Sequence, residues 1–164
     1  MQNLKDSHYR ARWSPLLIGT SSVATLLLVL APFLAARYSP IALGLPFLLC
    51  YAVLAGCALF TVRGYSITSD AVMVQRLFWT TRLPRVGLQS AEFTPNVMRG
   101  SIRTFGNGGL YSFSGRFWNR ALGSYRALVT DPKNAVVLRW EKRTVVISPA
   151  NAEQFLQELD VSGA

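Results

Sequence analysis

The sequence predicts a membrane-anchored α+β protein, in which a two-helix transmembrane hairpin precedes a small antiparallel barrel capped by a C-terminal helix. Three observations predict this fold class: two long uncharged apolar runs near the N-terminus, two-residue hydrophobic alternation after residue 64, and a final apolar stripe with helical spacing. The predicted segments are residues 1–13 as an N-terminal tail, 14–62 as the hairpin and 63–164 as the folded domain.

The two apolar runs each have the length of a membrane span. Leu16–Ala36 would form a helix of about 31 Å, and Ile41–Val62 is similar, whereas a hydrocarbon core is about 30 Å thick. Ser14-Pro15 and Ser39-Pro40 each supply a capping hydroxyl and a first-turn proline. A cleaved signal peptide would have a shorter apolar core, and buried helices of a soluble protein are rarely this long.

The flanking charges predict the orientation of the hairpin. Only Arg37 lies in the connection, whereas basic residues flank both outer ends: Lys5, Arg10, Arg12, Arg63, Arg76, Arg82 and Arg85. The positive-inside rule then places both termini in the cytoplasm. Neither run contains an acidic, histidine or lysine side chain, which argues for an anchor and against an ion pathway. Ala52 and Gly56 form a small-residue pair that can support close helix packing or a homo-oligomer.

The domain is predicted to contain about seven strands and one helix. Alternating patterns and turn residues predict strands at 65–68, 72–78, 80–83, 86–93, 126–130, 135–140 and 143–148. Ser148-Pro149 is predicted to start an amphipathic helix with the apolar stripe Ala152, Phe155, Leu156 and Leu159. The glycine- and aromatic-rich segment 96–124 is predicted to be a long irregular connection, a type that is often functional.

This arrangement resembles the bacterial pleckstrin-homology-like (PH-like) domains of small membrane-anchored proteins. The resemblance covers about residues 62–160 and rests on Tyr65-Ser66-Ile67-Thr68, on the run from Arg103 to Leu110, and on the pairs Thr130-Asp131 and Ser148-Pro149. It implies a seven-stranded barrel with a C-terminal helix, no known enzymatic activity, and a bacterial inner-membrane location. Phosphoinositide-binding relatives use basic residues at the first hairpin turn, where this chain has Asp70. That lipid site is therefore not transferred.

The glycine-rich segment and its arginines form the candidate ligand- or partner-binding site. Gly106, Gly108 and Gly109 either hold an anion with their backbone amides or only shape a turn. The surrounding arginines suit anionic lipid headgroups or serve only solubility and orientation. The candidate residues are Arg103, Phe105, Gly106, Asn107, Gly108, Gly109, Arg116, Phe117, Asn119 and Arg120, within a wider basic patch that also includes Arg99 and Arg126.

The residue types predict neither a catalytic nor a cofactor site. The single histidine, His8, lies in the tail, and no Cys/His cluster has metal-ligand spacing. We therefore expect a non-enzymatic module without cofactor, metal or nucleic acid, which contacts anionic lipid, a membrane protein partner, or both. The alternatives are an adaptor subunit without direct lipid recognition and an enzyme completed by another chain.

Overall fold

The first apolar run forms one long helix, α1 (Pro15–Ala36), in this computed structural model, which describes residues 7–37 and 44–161. The Ser14 hydroxyl accepts a hydrogen bond from the Leu17 amide at 3.2 Å, which confirms the predicted helix start. Within α1, residues Pro15–Leu34 are long and apolar enough to cross a membrane, and only 17% of that window is buried.

The second apolar run forms a shorter helix, α2 (Gly44–Leu59). Its 16 residues fall below the length of a span, so a second transmembrane helix is not confirmed. The predicted start at Ser39-Pro40 lies outside the described residues. The Phe33 ring near the end of α1 contacts the Phe47 ring near the start of α2, with centroids 5.6 Å apart. The two helices therefore lie side by side and run antiparallel.

Ten strands, within the described residues, form two sheets rather than a closed barrel. One sheet has the order β1-β2-β3-β4, and the other has the order β5-β9-β10-β8-β7-β6. Their bounds are β1 Ser7–Arg10, β2 Gly64–Ile67, β3 Ala71–Gln75, β4 Thr80–Pro84, β5 Leu88–Phe93, β6 Ile102–Leu110, β7 Ser112–Asn119, β8 Gly123–Val129, β9 Val136–Trp140 and β10 Arg143–Ile147.

The predicted partly open, seven-stranded antiparallel barrel is wrong in strand number and in strand direction, and its strands form two separate sheets. β10 pairs with β8 in parallel, whereas the other paired strands are antiparallel. The segment 96–124, expected to be irregular, contains the hairpin of β6 and β7. Glycines interrupt the hydrophobic alternation of both strands, so their sequence does not carry the usual strand signal.

The predicted N-terminal tail contains a strand of the domain. β1 pairs antiparallel with β2, with Tyr9 opposite Tyr65. The Tyr9 ring is buried and meets the Phe155 ring edge-on, with centroids 5.2 Å apart. Ala150 donates its amide to the Arg10 carbonyl at 3.1 Å. The chain before α1 is therefore bound both to the first sheet and to the C-terminal segment.

The C-terminal helix α3 (Ala152–Val161) packs its apolar stripe into the core as predicted. Ala152, Phe155 and Leu159 are buried among side chains of both sheets. The predicted cap at Ser148-Pro149 is wrong, because α3 begins at Ala152 and the Phe155 amide bonds to the Asn151 carbonyl at 3.0 Å.

Ser148 has a different role, at the centre of a buried network that joins the two sheets. Its hydroxyl accepts hydrogen bonds from the amides of Thr130 at 2.9 Å and Asp131 at 3.2 Å. The Tyr65 hydroxyl, on the other sheet, accepts from the Ser148 amide at 3.1 Å and donates to the Leu128 carbonyl at 2.7 Å. Burial raises the pKa of Tyr65 to about 12, so this hydroxyl remains a donor at physiological pH.

The same network holds the start of α1. The Thr130 hydroxyl donates to the Arg12 carbonyl at 2.7 Å, and the Ser14 amide donates to the Thr130 carbonyl at 3.2 Å. Ser14 and Leu17 are both buried. The first turn of α1 is therefore part of the folded domain. We refer to Tyr65, Thr130, Ser148 and the Arg12 carbonyl as the Ser148 network.

We predict that Ser148→Ala destabilises the protein because it leaves the buried amides of Thr130 and Asp131 without their acceptor. Each unpaired donor costs about 1–3 kcal/mol. Denaturant unfolding of the full chain in detergent micelles, followed by tryptophan fluorescence, measures the loss. Ser69→Ala, at an exposed bend, is the control and should change the free energy of unfolding by less than about 0.5 kcal/mol. A Ser148→Ala effect as small as the control would contradict the role of the network.

Candidate functional site

Two glycines determine how closely strands β6 and β7 approach. Gly106 lies opposite Gly115 in the register, and its φ of 99° is unfavourable for other residues. A Cβ atom on Gly106 would lie 2.5 Å from the Ser114 carbonyl oxygen and 2.8 Å from the Gly115 Cα. The close approach of the two backbones therefore explains why Gly106 and Gly115 are glycines.

The turn between β6 and β7 packs against α1. The Asn107 side chain accepts from the Leu110 amide at 3.0 Å and from the Gly109 amide at 3.3 Å, which organises the turn. Ser21 of α1 accepts from the Tyr111 amide at 2.9 Å. Thr25, one helical turn further, bonds to the Tyr111 hydroxyl at 2.8 Å. The amides of this turn are thus used in part for local structure and for holding the helix.

A cavity of about 600 Å³ lies between α2 and strands β6, β7 and β8, and we call it the basic cleft. One wall is apolar and consists of Val53, Gly56, Cys57 and Phe60. The charged residues that line it are all arginines, namely Arg76, Arg103, Arg116 and Arg126. No carboxylate lines it, and none of the four arginines forms an ion pair within the described residues.

Arg76 is the buried member of this set, with 7% of its surface exposed. Its Nη1 donates to the Phe60 carbonyl at 2.7 Å and to the Ser114 hydroxyl at 2.9 Å, and its Nε donates to Thr81 at 3.3 Å. All three acceptors are neutral. Burial and the nearby Arg126 charge lower the pKa of Arg76. A guanidinium nevertheless stays charged in proteins. Among the described residues, neutral acceptors and the Phe60 and Trp79 rings surround this positive charge, but no anion does.

Arg116 and Arg126 face each other directly across β7 and β8. Like charges in directly opposed positions destabilise a sheet. The Arg103 side chain, on the neighbouring edge strand β6, lines the basic cleft and also a second cavity of about 420 Å³ beside Phe113 and Phe117. Three adjacent strands and the end of β3 therefore bring positive charge to one concave site, an arrangement suited to binding an anion.

The structure places half of the predicted site residues in the basic cleft, namely Arg103, Phe105, Gly106, Asn107 and Arg116. Gly108 lines the second cavity, and Gly109 accepts a hydrogen bond from Ser21. Phe117 is a buried core residue stacked on Tyr125.

The remaining two predicted residues lie at the opposite end of the β6–β7 hairpin. The Asn119 side chain donates to the Val97 carbonyl and the Ser101 hydroxyl and accepts from the Leu122 amide. Arg120 lies in the exposed turn that follows Asn119. Arg99, from the wider patch, lines the second cavity and not the basic cleft.

The sequence interpretation missed two parts of the cleft. The sequence places Arg76 only in the basic flank of the helical hairpin, and it places the apolar residues of α2 only in the membrane. The sequence around Arg76 does not indicate that this side chain is buried. Its burial depends on contacts with Phe60 and Ser114, which are far from it along the chain.

The described part of the chain contains no group of three or more His, Cys, Asp and Glu side chains placed to hold a metal ion. The basic cleft contains no carboxylate or imidazole that could exchange a proton. Its four guanidinium groups beside an apolar wall suit the recognition of negative charge.

We predict that Gly106→Ala destabilises the β6–β7 hairpin more than Gly100→Ala does. Both glycines have positive φ, but a Cβ on Gly100 meets nothing within 4 Å. Gly100→Ala should therefore show only the conformational cost of about 1–2 kcal/mol, whereas Gly106→Ala adds a clash with backbone atoms. Unfolding free energies, together with hydrogen exchange of β6 and β7 amides, measure the difference. Equal losses would mean that the close approach at Gly106 is unimportant.

The family model described as Bacterial PH domain matches residues 63–162. The match covers more than half of the chain and extends from β2 through α3, whereas β1, α1 and α2 precede it. No curated protein and no solved structure matches the chain. With its two sheets, C-terminal helix and this match, the chain belongs to the bacterial PH domain family.

Proposed function

We propose that this protein is a non-enzymatic interaction module, anchored to the cytoplasmic face of the bacterial inner membrane, whose PH domain contacts anionic lipid headgroups. The observation that carries the proposal is an apolar helical hairpin that is exposed along most of its length and joined to the PH domain at both of its ends.

The exposure of the helices supports a membrane environment. α2 has no buried residue, and α1 is buried mainly near its start. The side chains left exposed include Leu26, Leu27, Phe33, Leu45 and Leu48. Contiguous apolar surface on this scale is unfavourable in water and favourable in a bilayer.

The strand before the helices supports the predicted orientation. β1 pairs with β2, so residues 7–10 and 64–67 lie on the same side of any membrane that the hairpin enters. The basic residues that flank both ends favour the cytoplasmic side.

The contacts of α1 indicate how deeply the domain lies. Thr25 is ten residues after Pro15, so the β6–β7 turn follows α1 for about 15 Å of its length of about 33 Å. The hydrocarbon core is about 30 Å thick. The part of α1 beyond Thr25 is only about 18 Å long. If Arg37 reaches polar surroundings at the other end, the β6–β7 turn therefore extends at least as deep as the bilayer interface and is not held above it.

The apolar turn between β3 and β4 supports the same depth. Leu77, Phe78 and Trp79 are exposed, and the Trp79 ring meets the Phe60 ring at the end of α2, with centroids 5.1 Å apart. On the other side, Trp13 and Tyr111 rings lie 6.2 Å apart beside α1. Aromatic side chains are enriched at this level of membrane proteins.

The hairpin turn used by phosphoinositide-binding PH domains is not part of this surface. Asp70 lies at the far end of the β2–β3 hairpin from α2 and is paired with Arg82. The hydrogen bond from Thr68 and the Arg82 charge lower the pKa of Asp70, so the turn keeps a carboxylate that repels phosphate. Contact with anionic lipid is instead assigned to the arginines near α2.

We predict that position 78 lies in contact with lipid and that position 142 does not. Phe78→Cys and Lys142→Cys are labelled separately with a fluorophore in the full chain, with Cys50 and Cys57 replaced by alanine, and reconstituted into vesicles. A quencher attached to lipid should quench the label at position 78 only. A quencher on phosphatidylglycerol should act more strongly than one on phosphatidylcholine, and salt should reduce that difference through screening.

Lys142 is a suitable control because it lies in the exposed β9–β10 turn, at the opposite end of β10 from the Ser148 network. Equal quenching at both positions would contradict the proposed docking. Equal action of the two lipid quenchers would remove the preference for anionic lipid.

A second candidate function, an adaptor that binds a membrane protein, is favoured by the edge strand β6. Among the described strands this nine-residue strand pairs with β7 alone, and Ile102 and Phe105 are 63% and 76% exposed. An unpaired strand edge can accept an additional strand from a partner.

For the adaptor function we predict that a photo-crosslinking residue at Ile102 gives a discrete crosslinked species in native membranes. The same residue at Val86, in the exposed turn after β4, should give none. Lipid adducts alone at Ile102, or the same products from both positions, would count against an adaptor.

A further inference from the structure

We propose that the basic cleft is a binding site for a single anionic phospholipid, with the phosphate among Arg76, Arg116 and Arg126 and an acyl chain along α2. This inference rests on the proposed function, because it assigns the contact with anionic lipid to one site. It adds a defined stoichiometry and a defined set of residues to that contact.

The buried guanidinium of Arg76 lacks a counter-charge among the described residues. Arg76 is more than nine-tenths buried, and its three hydrogen bonds use Nε and Nη1. The two N–H groups of Nη2 have no hydrogen-bond partner within the described residues. A buried positive charge is unfavourable unless it is paired. Because Arg76 lines the cleft, a phosphate oxygen there can accept from Nη2 and supply the negative charge.

Arg116 and Arg126 repel each other across β7 and β8. Their directly opposed positions would be destabilising in an unoccupied cleft and become favourable around a shared anion. Both side chains are exposed, so neither is required for packing of the core. Arg103 adds a third positive charge at the rim of the cleft. This concentration of guanidinium groups is suited to phosphate, which accepts several hydrogen bonds at once.

The apolar wall of the basic cleft favours a lipid over a soluble phosphate. Val53, Gly56, Cys57 and Phe60 form a wall that offers no hydrogen-bonding side chain suited to a polar ligand. A Cβ on Gly56 would meet nothing within 4 Å, so the wall has space beside this residue. The wall continues along α2 to Leu49, Leu48 and Leu45, which are exposed. A molecule that fills the cleft therefore combines a phosphate with a hydrocarbon chain.

Native mass spectrometry of the full chain in detergent tests the site with phosphatidylglycerol, phosphatidylcholine and inorganic phosphate as probes. Wild type should show one preferred addition of phosphatidylglycerol and no comparable addition of phosphatidylcholine. Arg126→Gln should weaken phosphatidylglycerol binding by about tenfold or more, because a hydrogen bond between charged groups is lost. Arg120→Gln removes the same charge outside the cleft and should leave the affinity within about twofold of wild type.

Thermal unfolding shows whether a loss of lipid binding in Arg126→Gln comes from a folding defect. Without lipid, Arg126→Gln should be at least as stable as wild type, because it removes the repulsion with Arg116. With phosphatidylglycerol, wild type should gain thermal stability and Arg126→Gln should gain much less. A variant that is less stable than wild type without lipid would overturn the repulsion argument.

Gly56→Leu separates the two possible sources of the phosphate. The added side chain fills the apolar side of the cleft, so phosphatidylglycerol binding should fall while inorganic phosphate binding is retained. Unchanged phosphatidylglycerol binding in Gly56→Leu would overturn the acyl-chain assignment and identify a site for phosphate alone.

The remaining outcomes distinguish this inference from the proposed function. Equal losses in Arg126→Gln and Arg120→Gln, combined with preferential quenching by phosphatidylglycerol at position 78, would overturn the cleft and leave surface contact intact. No preference for phosphatidylglycerol in either experiment would overturn both.

Discussion

The hydroxyl of Ser148 accepts the amides of Thr130 and Asp131, while Thr130 binds the chain on both sides of Trp13. This small polar network connects three parts of the molecule that hydrophobic contacts alone would align only loosely: both sheets and the start of α1. Because the donors and acceptors are buried and directional, they specify one relative position. The location of α1 beside the β6–β7 turn follows from that position.

Sequence reasoning identified the elements whose periodicity is visible locally. The charge-free run predicted α1, and the spacing of Ala152, Phe155 and Leu159 predicted α3. It failed for β6 and β7, because Gly106 and Gly115 have no side chain with which to show alternation. It also failed for β1, a four-residue strand whose pairing with β2 depends on chain segments that the two helices separate.

The candidate site was predicted in part for a related reason. Arg103 and Arg116 stand out in the glycine- and aromatic-rich segment, and the structure brings them together with Arg126. The predicted basic patch is nevertheless not one site, because Arg99 and Arg120 lie toward the other end of the β6–β7 hairpin, outside the basic cleft. Arg76 belongs to the site only because Phe60, directly after α2, lies beside it, and this tertiary contact leaves no local pattern in the sequence. The concave shape and the apolar wall likewise depend on how α2 lies over the sheet.

The separation of β1 from β2 by the helical hairpin also has a consequence for biosynthesis. β1 leaves the ribosome first, and its partner strand follows only after both helices have been made. Closing such a long connection would cost considerable chain entropy in solution. Antiparallel association of α1 and α2 brings their outer ends together beforehand, so the later strand pairing closes a much shorter effective loop. Packing of α1 against α2 is thus a folding step of the first sheet, because it brings β1 and β2 within reach of each other before their backbones pair.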